Sequence, residues 1–154
     1  MARYGKNGKV GPVARISWNE LECTDGTDVP RAYRDDAVVL GKALNKVRRR
    51  IAKHYKVKDT DVVLKINSGY RSPRYNRKIG GASNSQHLYA RAADTQWYVK
   101  GKRLGNNAVA NFAAQVKEFK RGGIGIYDPK HGNFVHLDVR GEYGFPPARW
   151  LNVG

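Results

Sequence analysis

His87 and Asp94 stand seven residues apart, and His136 follows after a long interval. Imidazole nitrogen and carboxylate oxygen are the donors of a hydrolytic zinc site, which takes three protein ligands and keeps one position for a water whose pKa falls to about 7. Cys23 is the only cysteine, so neither an internal disulfide nor a thiolate cage is available, and any metal must be held by His, Asp or Glu. The spacing of His87 and Asp94 brings both to one centre if the chain turns between them. The glycine-rich approach Gly80-Gly-Ala-Ser-Asn-Ser85 and the strand signal after Ala92 favour such a turn. His136 and Asp138 share one face of a strand because side chains alternate, so His136 can ligate while Asp138 supports it. Each residue also has an ordinary reading. A single histidine is more often packed or hydrogen-bonded than metal-bound, and His54 and His131 start level with the other two. Asp94 fits a strand-end turn and Arg71 a helix cap.

The elements that must position these groups read as helix, strand, helix, strand, helix, strand, strand. Over residues 35–55, Leu40, Leu44, Val47 and Ile51 recur at helical spacing, with Asp35 and Asp36 near the start and Arg48, Arg49 and Arg50 near the end. Residues 61–67 are a β-branched strand that stops at Ser68-Gly69. Ser72-Pro73 reads as an N-cap and first helical position for a short helix to about residue 79. A second strand covers residues 92–98, a helix residues 107–119, and a closing hairpin residues 124–127 and 134–139. This order predicts an α+β domain with a small, mainly antiparallel sheet flanked by helices. Residues 1–16, basic and glycine-rich, read as an N-terminal arm, with the folded domain over 17–154.

Lys and Arg number 29 against 13 Asp and Glu, a surplus of +16. Such a surface attracts polyanions, whether nucleic acid or the carboxylates and phosphodiesters of a cell wall. The Arg48–Arg50 run reads as a solvated helix end rather than a nucleic-acid patch, and no specific nucleic-acid partner is expected. No apolar stretch reaches the ~18–20 residues of a membrane helix, and residues 1–17 lack the apolar core of a signal peptide.

Several separated segments occur in an order that is not arbitrary: Ser68-Gly-Tyr-Arg-Ser-Pro-Arg-Tyr-Asn76, Gly80-Gly81, Ser85-Gln-His87 with Ala92 and Asp94, Gly123-Ile-Gly-Ile-Tyr127, and Phe134-Val-His-Leu-Asp-Val-Arg140. Together they resemble the M15 peptidases, the D-alanyl-D-alanine carboxypeptidase group, and most closely its phage-associated branch, over roughly residues 17–150. The resemblance implies a fold similar to Hedgehog and the DD-peptidases, and Zn2+ held by His87, Asp94 and His136. It also implies that Arg71 binds a substrate carbonyl or carboxylate and that Ser85 contacts substrate. The implied activity is cleavage of stem-peptide bonds in bacterial peptidoglycan, by an endopeptidase in preference to a carboxypeptidase. The implied setting is a monomeric phage lysin, kept in the host cytoplasm until released to the wall, or carried on the virion. Two positions depart from the family pattern. Ala90 stands where many members have glycine, which is strained if the local φ is positive. Asn133 stands three residues before His136, where better-known members carry an acid, and an amide cannot accept a proton from water. His131 and Asp138 are the remaining candidates for the base. The rival reading is a catalytically inactive zinc protein that docks on the wall or virion.

Overall fold

The computed structural model describes residues 8–153. The long helix forms as α2, Arg34–Tyr55, and buries Leu40, Leu44, Val47 and Ile51 completely. Each such side chain contributes about 1.5–3 kcal/mol by leaving water. Asp35 and Asp36 occupy its first turn and Lys53 and His54 its last, as the dipole favours, and Lys56 ends it in the left-handed region. The other helices are α1, Trp18–Leu21, α3, Pro73–Lys78, α4, Asn106–Ala113, and α5, Lys117–Lys120. Ser72 caps α3 as its sequence suggests, its Oγ accepting from the Tyr75 N–H at 3.1 Å.

Among the described residues the strands are β1, Val62–Ser68, β2, Ala92–Val99, β3, Lys102–Arg103, β4, Gly123–Tyr127, β5, Phe134–Asp138, and β6, Ala148–Asn152. They form one sheet in the order β1-β2-β5-β4-β6, with β3 paired to the end of β2. All pairs are antiparallel except β4 with β6. The α+β architecture expected from the pattern is therefore present, with one parallel edge added. Alternation along β5 sends Val135 and Leu137 into the core with α2, α4 and α5, and His136 and Asp138 to the opposite face. On that face, Ser68, Asp94, His136, Gly125 and Trp150 are successive partners across five strands.

Two expectations differ from what forms. The helix expected over residues 107–119 is two helices. The end of α4 tightens, with the Gln115 and Val116 N–H groups donating to Phe112 and Ala113, and Val116 then becomes extended (φ −97°, ψ 122°), which lets Phe119 reach the core. The stretch read as a basic arm, residues 1–16, is packed from residue 8 onward, and residues 1–7 lie outside the described part. Val10, Val13 and Ile16 are within 1% of full burial, and the Trp18 N–H donates to Gly8.

The arginine run of α2 divides by helical phase. Arg48 is 5% exposed and points inward, where NH1 donates to the Val62 carbonyl at 2.5 Å and Nε to Asn45 at 3.2 Å, tying α2 to β1. Arg49 and Arg50 face outward. Replacing Arg48 with Ala is expected to destabilise the fold by about 2–4 kcal/mol, through a cavity and an orphaned carbonyl. Arg49→Ala should stay within about 0.5 kcal/mol. Urea unfolding of the two variants checks the difference.

Candidate active site

The site is built on the middle of the sheet. Asp94 of β2 and His136 of β5 are direct cross-strand partners. His87 reaches the same point from a 3-10 turn, Gln86–Tyr89, that precedes β2. Ala90 closes that turn in the left-handed region (φ 56°), a conformation that costs a non-glycine residue about 1–2 kcal/mol, and its methyl is buried in the core. The turn brings residues seven apart onto one centre.

His87 Nε2 lies 3.2 Å and His136 Nδ1 3.1 Å from Asp94 Oδ1, and one donor atom from each residue lies within 4.8 Å of the other two. Ligands about 2.0–2.1 Å from a tetrahedral zinc stand roughly 3.3 Å apart, so these separations suit that ion. The outward nitrogens fix which atoms face the centre. His87 Nδ1–H donates to the Gly69 carbonyl at 2.6 Å, and since a carbonyl can only accept, Nε2 of the neutral ring is the nitrogen left with a lone pair. His136 Nε2–H donates to Asp138 at 2.8 Å and leaves Nδ1 for the metal. All three residues are buried, and the donor set fits a zinc ion.

Burial opposes charge at each of these groups, yet neighbouring charges and hydrogen bonds decide the outcome. Asp94 is held well below the usual carboxylate range by the two imidazoles. The His136 imidazole is pushed toward neutrality by burial, but its bonds to Asp138 and Asp94 raise it to about 9. Asp138, also kept ionised against burial, accepts from His136, from Arg140 through both Nε and NH2, and from the Gly123 N–H at 2.9 Å. A Cβ on Gly123 would fall 2.1 Å from Asp138 Oδ2, so this approach requires glycine.

The His–Asp–His group lies in a cleft of about 710 Å³. Arg71 lines it, with NH2 3.6 Å from Asp94 Oδ2 and NH1 bonded to Asn76. Its Nε is buried without a partner in the protein. Ser85 lines it beside His87 and accepts from the His87 N–H at 3.3 Å. His131 and Asn133 do not line it. His131 is exposed in the turn after β4, its Nδ1 2.7 Å from Asp128. Asn133, at φ 58°, braces the hairpin turn, its carbonyl accepting from Gln96 and Arg103 and its side chain from Asn106.

The sequence match of the family described as Peptidase M15 spans residues 14–138. The chain belongs to the peptidase M15 family. The zinc D-Ala-D-Ala carboxypeptidase of Streptomyces albus G is 50% identical to it over 34 residues, which cover 22% of this chain and 13% of that protein. The match contains His87, Asp94, His136, Asp138, Arg71 and Ser85, while Arg140 and the β6 residues lie beyond it.

A wall of the M15 cleft was not visible in the sequence. Trp150 packs 4.9 Å from the His136 ring, donates from Nε1 to the Tyr127 hydroxyl, and lies under the Arg140 guanidinium. Tyr127 in turn stacks on Phe134. A Cβ on Gly125 would meet the Trp150 ring at 2.3 Å, so the glycine of Gly123-Ile-Gly-Ile-Tyr127 is the signal that could have announced the aromatic partner.

A zinc ion held by this group would compete with a proton for His136, which yields a pH prediction. A folded-state pKa raised from 6.5 to about 9 contributes stability that is complete below pH 6.5 and lost as pH rises through 9. Metal-free protein is expected to lose on the order of 3 kcal/mol across that interval. Zinc affinity should rise over the same interval as the competing proton leaves. Unfolding of chelator-treated protein and competitive zinc titrations, both against pH, measure the two trends, and parallel trends would contradict this assignment.

Proposed function

We propose that this chain is a zinc-dependent hydrolase of peptidoglycan stem peptides, acting as an endopeptidase in preference to a D-Ala-D-Ala carboxypeptidase, and serving a phage as its lysin. The observation that carries the reading is the His87–Asp94–His136 group at the floor of an open cleft, with the outward nitrogens of both histidines already bonded. The relative is named for D-Ala-D-Ala, a dipeptide of the kind that ends a stem peptide, and the surplus of +16 suits an anionic wall. The phage assignment rests on the motif order and on the charge.

Zinc in this site would supply a Lewis acid for the peptide carbonyl and lower the pKa of water. The chain's own residues do the remaining work. Arg71, with its Nε lacking a protein partner, donates to the carbonyl oxygen as charge develops there, or to a substrate carboxylate. The Ser85 hydroxyl contacts the peptide backbone. Asp138 is occupied by four donor groups, the His136 ring, the Arg140 guanidinium and the Gly123 and Arg140 N–H groups, so its work is to hold the His136 tautomer. His131 lies outside the cleft, with Asp128 gripping Nδ1, and takes the water's proton at Nε2 only if its turn brings the ring to the cleft. Its turn joins β4 to β5, whose residues Tyr127 and Phe134 both line the cleft. Trp150 and the Tyr127–Phe134 stack keep bulk water from one side of the reacting bond.

Isolated walls incubated with zinc-loaded protein should release amino groups and defined stem-peptide fragments, and a chelator should stop the release. Stoichiometric zinc with no product under any condition would favour the inactive wall-binding reading instead. His131→Ala should lower kcat about 10²–10⁴-fold with zinc retained. Asp138→Ala should weaken zinc about 10–100-fold. The reverse pattern would exchange the two roles.

A further inference from the structure

The outward cations of α2 do not stand alone. Lys46, Arg49, Arg50 and Lys53 fall on one face at three- and four-residue spacing, and Lys117 of α5 joins them along a groove of about 440 Å³. Glu118 is the only carboxylate lining that groove, and it is paired with Lys46 at 2.5 Å. Arg50 bonds the neutral Gln115, which leaves its charge uncompensated. Five cations less the one paired with Glu118 leave four, on Arg49, Arg50, Lys53 and Lys117. Local structure accounts for little of this clustering. Of the α2 cations only Lys53 lies in the last turn, where the dipole favours one. Like charges at such spacing cost a helix a few tenths of a kcal/mol each. A polyanion in the groove reverses the sign of that term and releases counterions.

We propose that the groove between α2 and α5 docks a phosphodiester polymer of the cell wall, separately from the cleft. No aromatic side chain lines it, so it lacks the platforms on which single-stranded nucleic-acid bases stack. It belongs to the helical side of the sheet, opposite the face that carries His136 and Asp138, so polymer and peptide substrate do not compete. The choice of a wall polymer among polyanions rests on the peptidoglycan reading above. Docking there holds the enzyme on its insoluble substrate while the cleft samples nearby stems.

The test uses zinc-loaded full chain and purified walls, either intact or stripped of phosphodiester polymer with hydrofluoric acid. The triple variant Arg49→Ser, Lys53→Ser, Lys117→Ser is compared with wild type and with a control triple, Lys65→Ser, Lys100→Ser, Lys102→Ser, which removes equal charge from exposed positions elsewhere. Wild type and control should sediment alike with intact walls, and the groove triple should bind at least ~10-fold more weakly, with a shallower salt dependence. Stripping the walls should erase the difference. All three should cut soluble cross-linked stem peptides at one rate. No cutting by any of them would sink the peptidase reading and leave the binding result to stand or fall by itself. Glutamine at the same three positions, which keeps part of the aliphatic stems, gives the comparison if the serine triple melts early. Equal loss in both triples, a difference that survives stripping, or duplex DNA competing as well as poly(glycerol phosphate) would overturn the proposal.

Discussion

A buried carboxylate between two buried imidazoles is the constraint on which the rest of this structure depends. Asp94, His87 and His136 are at most 6% exposed, and an isolated charge at that depth is strongly unfavourable. Both rings approach Asp94 Oδ1, and each histidine passes its outer N–H to an acceptor beyond the group. Gly69 and Asp138 are therefore as necessary as the three central residues. Removing either acceptor would leave a buried N–H unsatisfied and release the ring orientation that faces both lone pairs inward.

The sheet meets these demands by cross-strand register. Because Asp94, His136, Gly125 and Trp150 are successive partners, the residue beside each polar group is chosen by what the next strand must fit. Gly125 leaves the space that the Trp150 ring fills, and Gly123 lets Asp138 approach close enough to accept from a backbone N–H. The face opposite these groups is apolar and supplies the helix contacts that hold the register. Catalytic geometry and core packing are thus two faces of one set of strands, and the charged outer surface of α2 is a third layer that neither requires.

Much of this was legible in the chain itself, for identifiable reasons. The period of Leu40, Leu44, Val47 and Ile51 is local and strong, so α2 could be read within one residue of its start. His136 and Asp138 share a face because alternation admits no other arrangement. The strand β6 was not legible, since it is a short edge strand after two prolines and its parallel partner, β4, lies more than twenty residues earlier. Trp150 and the aromatic wall went unread with it. The core role of Val10, Val13 and Ile16 was masked by the glycines and cations around them. The role of Asp138 could not be read from spacing alone, because sharing a face with His136 leaves open which imidazole nitrogen it meets. The bond to Nε2 is a three-dimensional fact.

The most direct measurement is anomalous diffraction at the zinc edge from crystals of the zinc-loaded chain. One full-occupancy peak is expected, about 2.0–2.2 Å from His87 Nε2, an Asp94 carboxylate oxygen and His136 Nδ1, with a fourth position open to the cleft. A peak on His136 Nε2, or at other residues, or no peak at all from protein that retains zinc in solution, would contradict it.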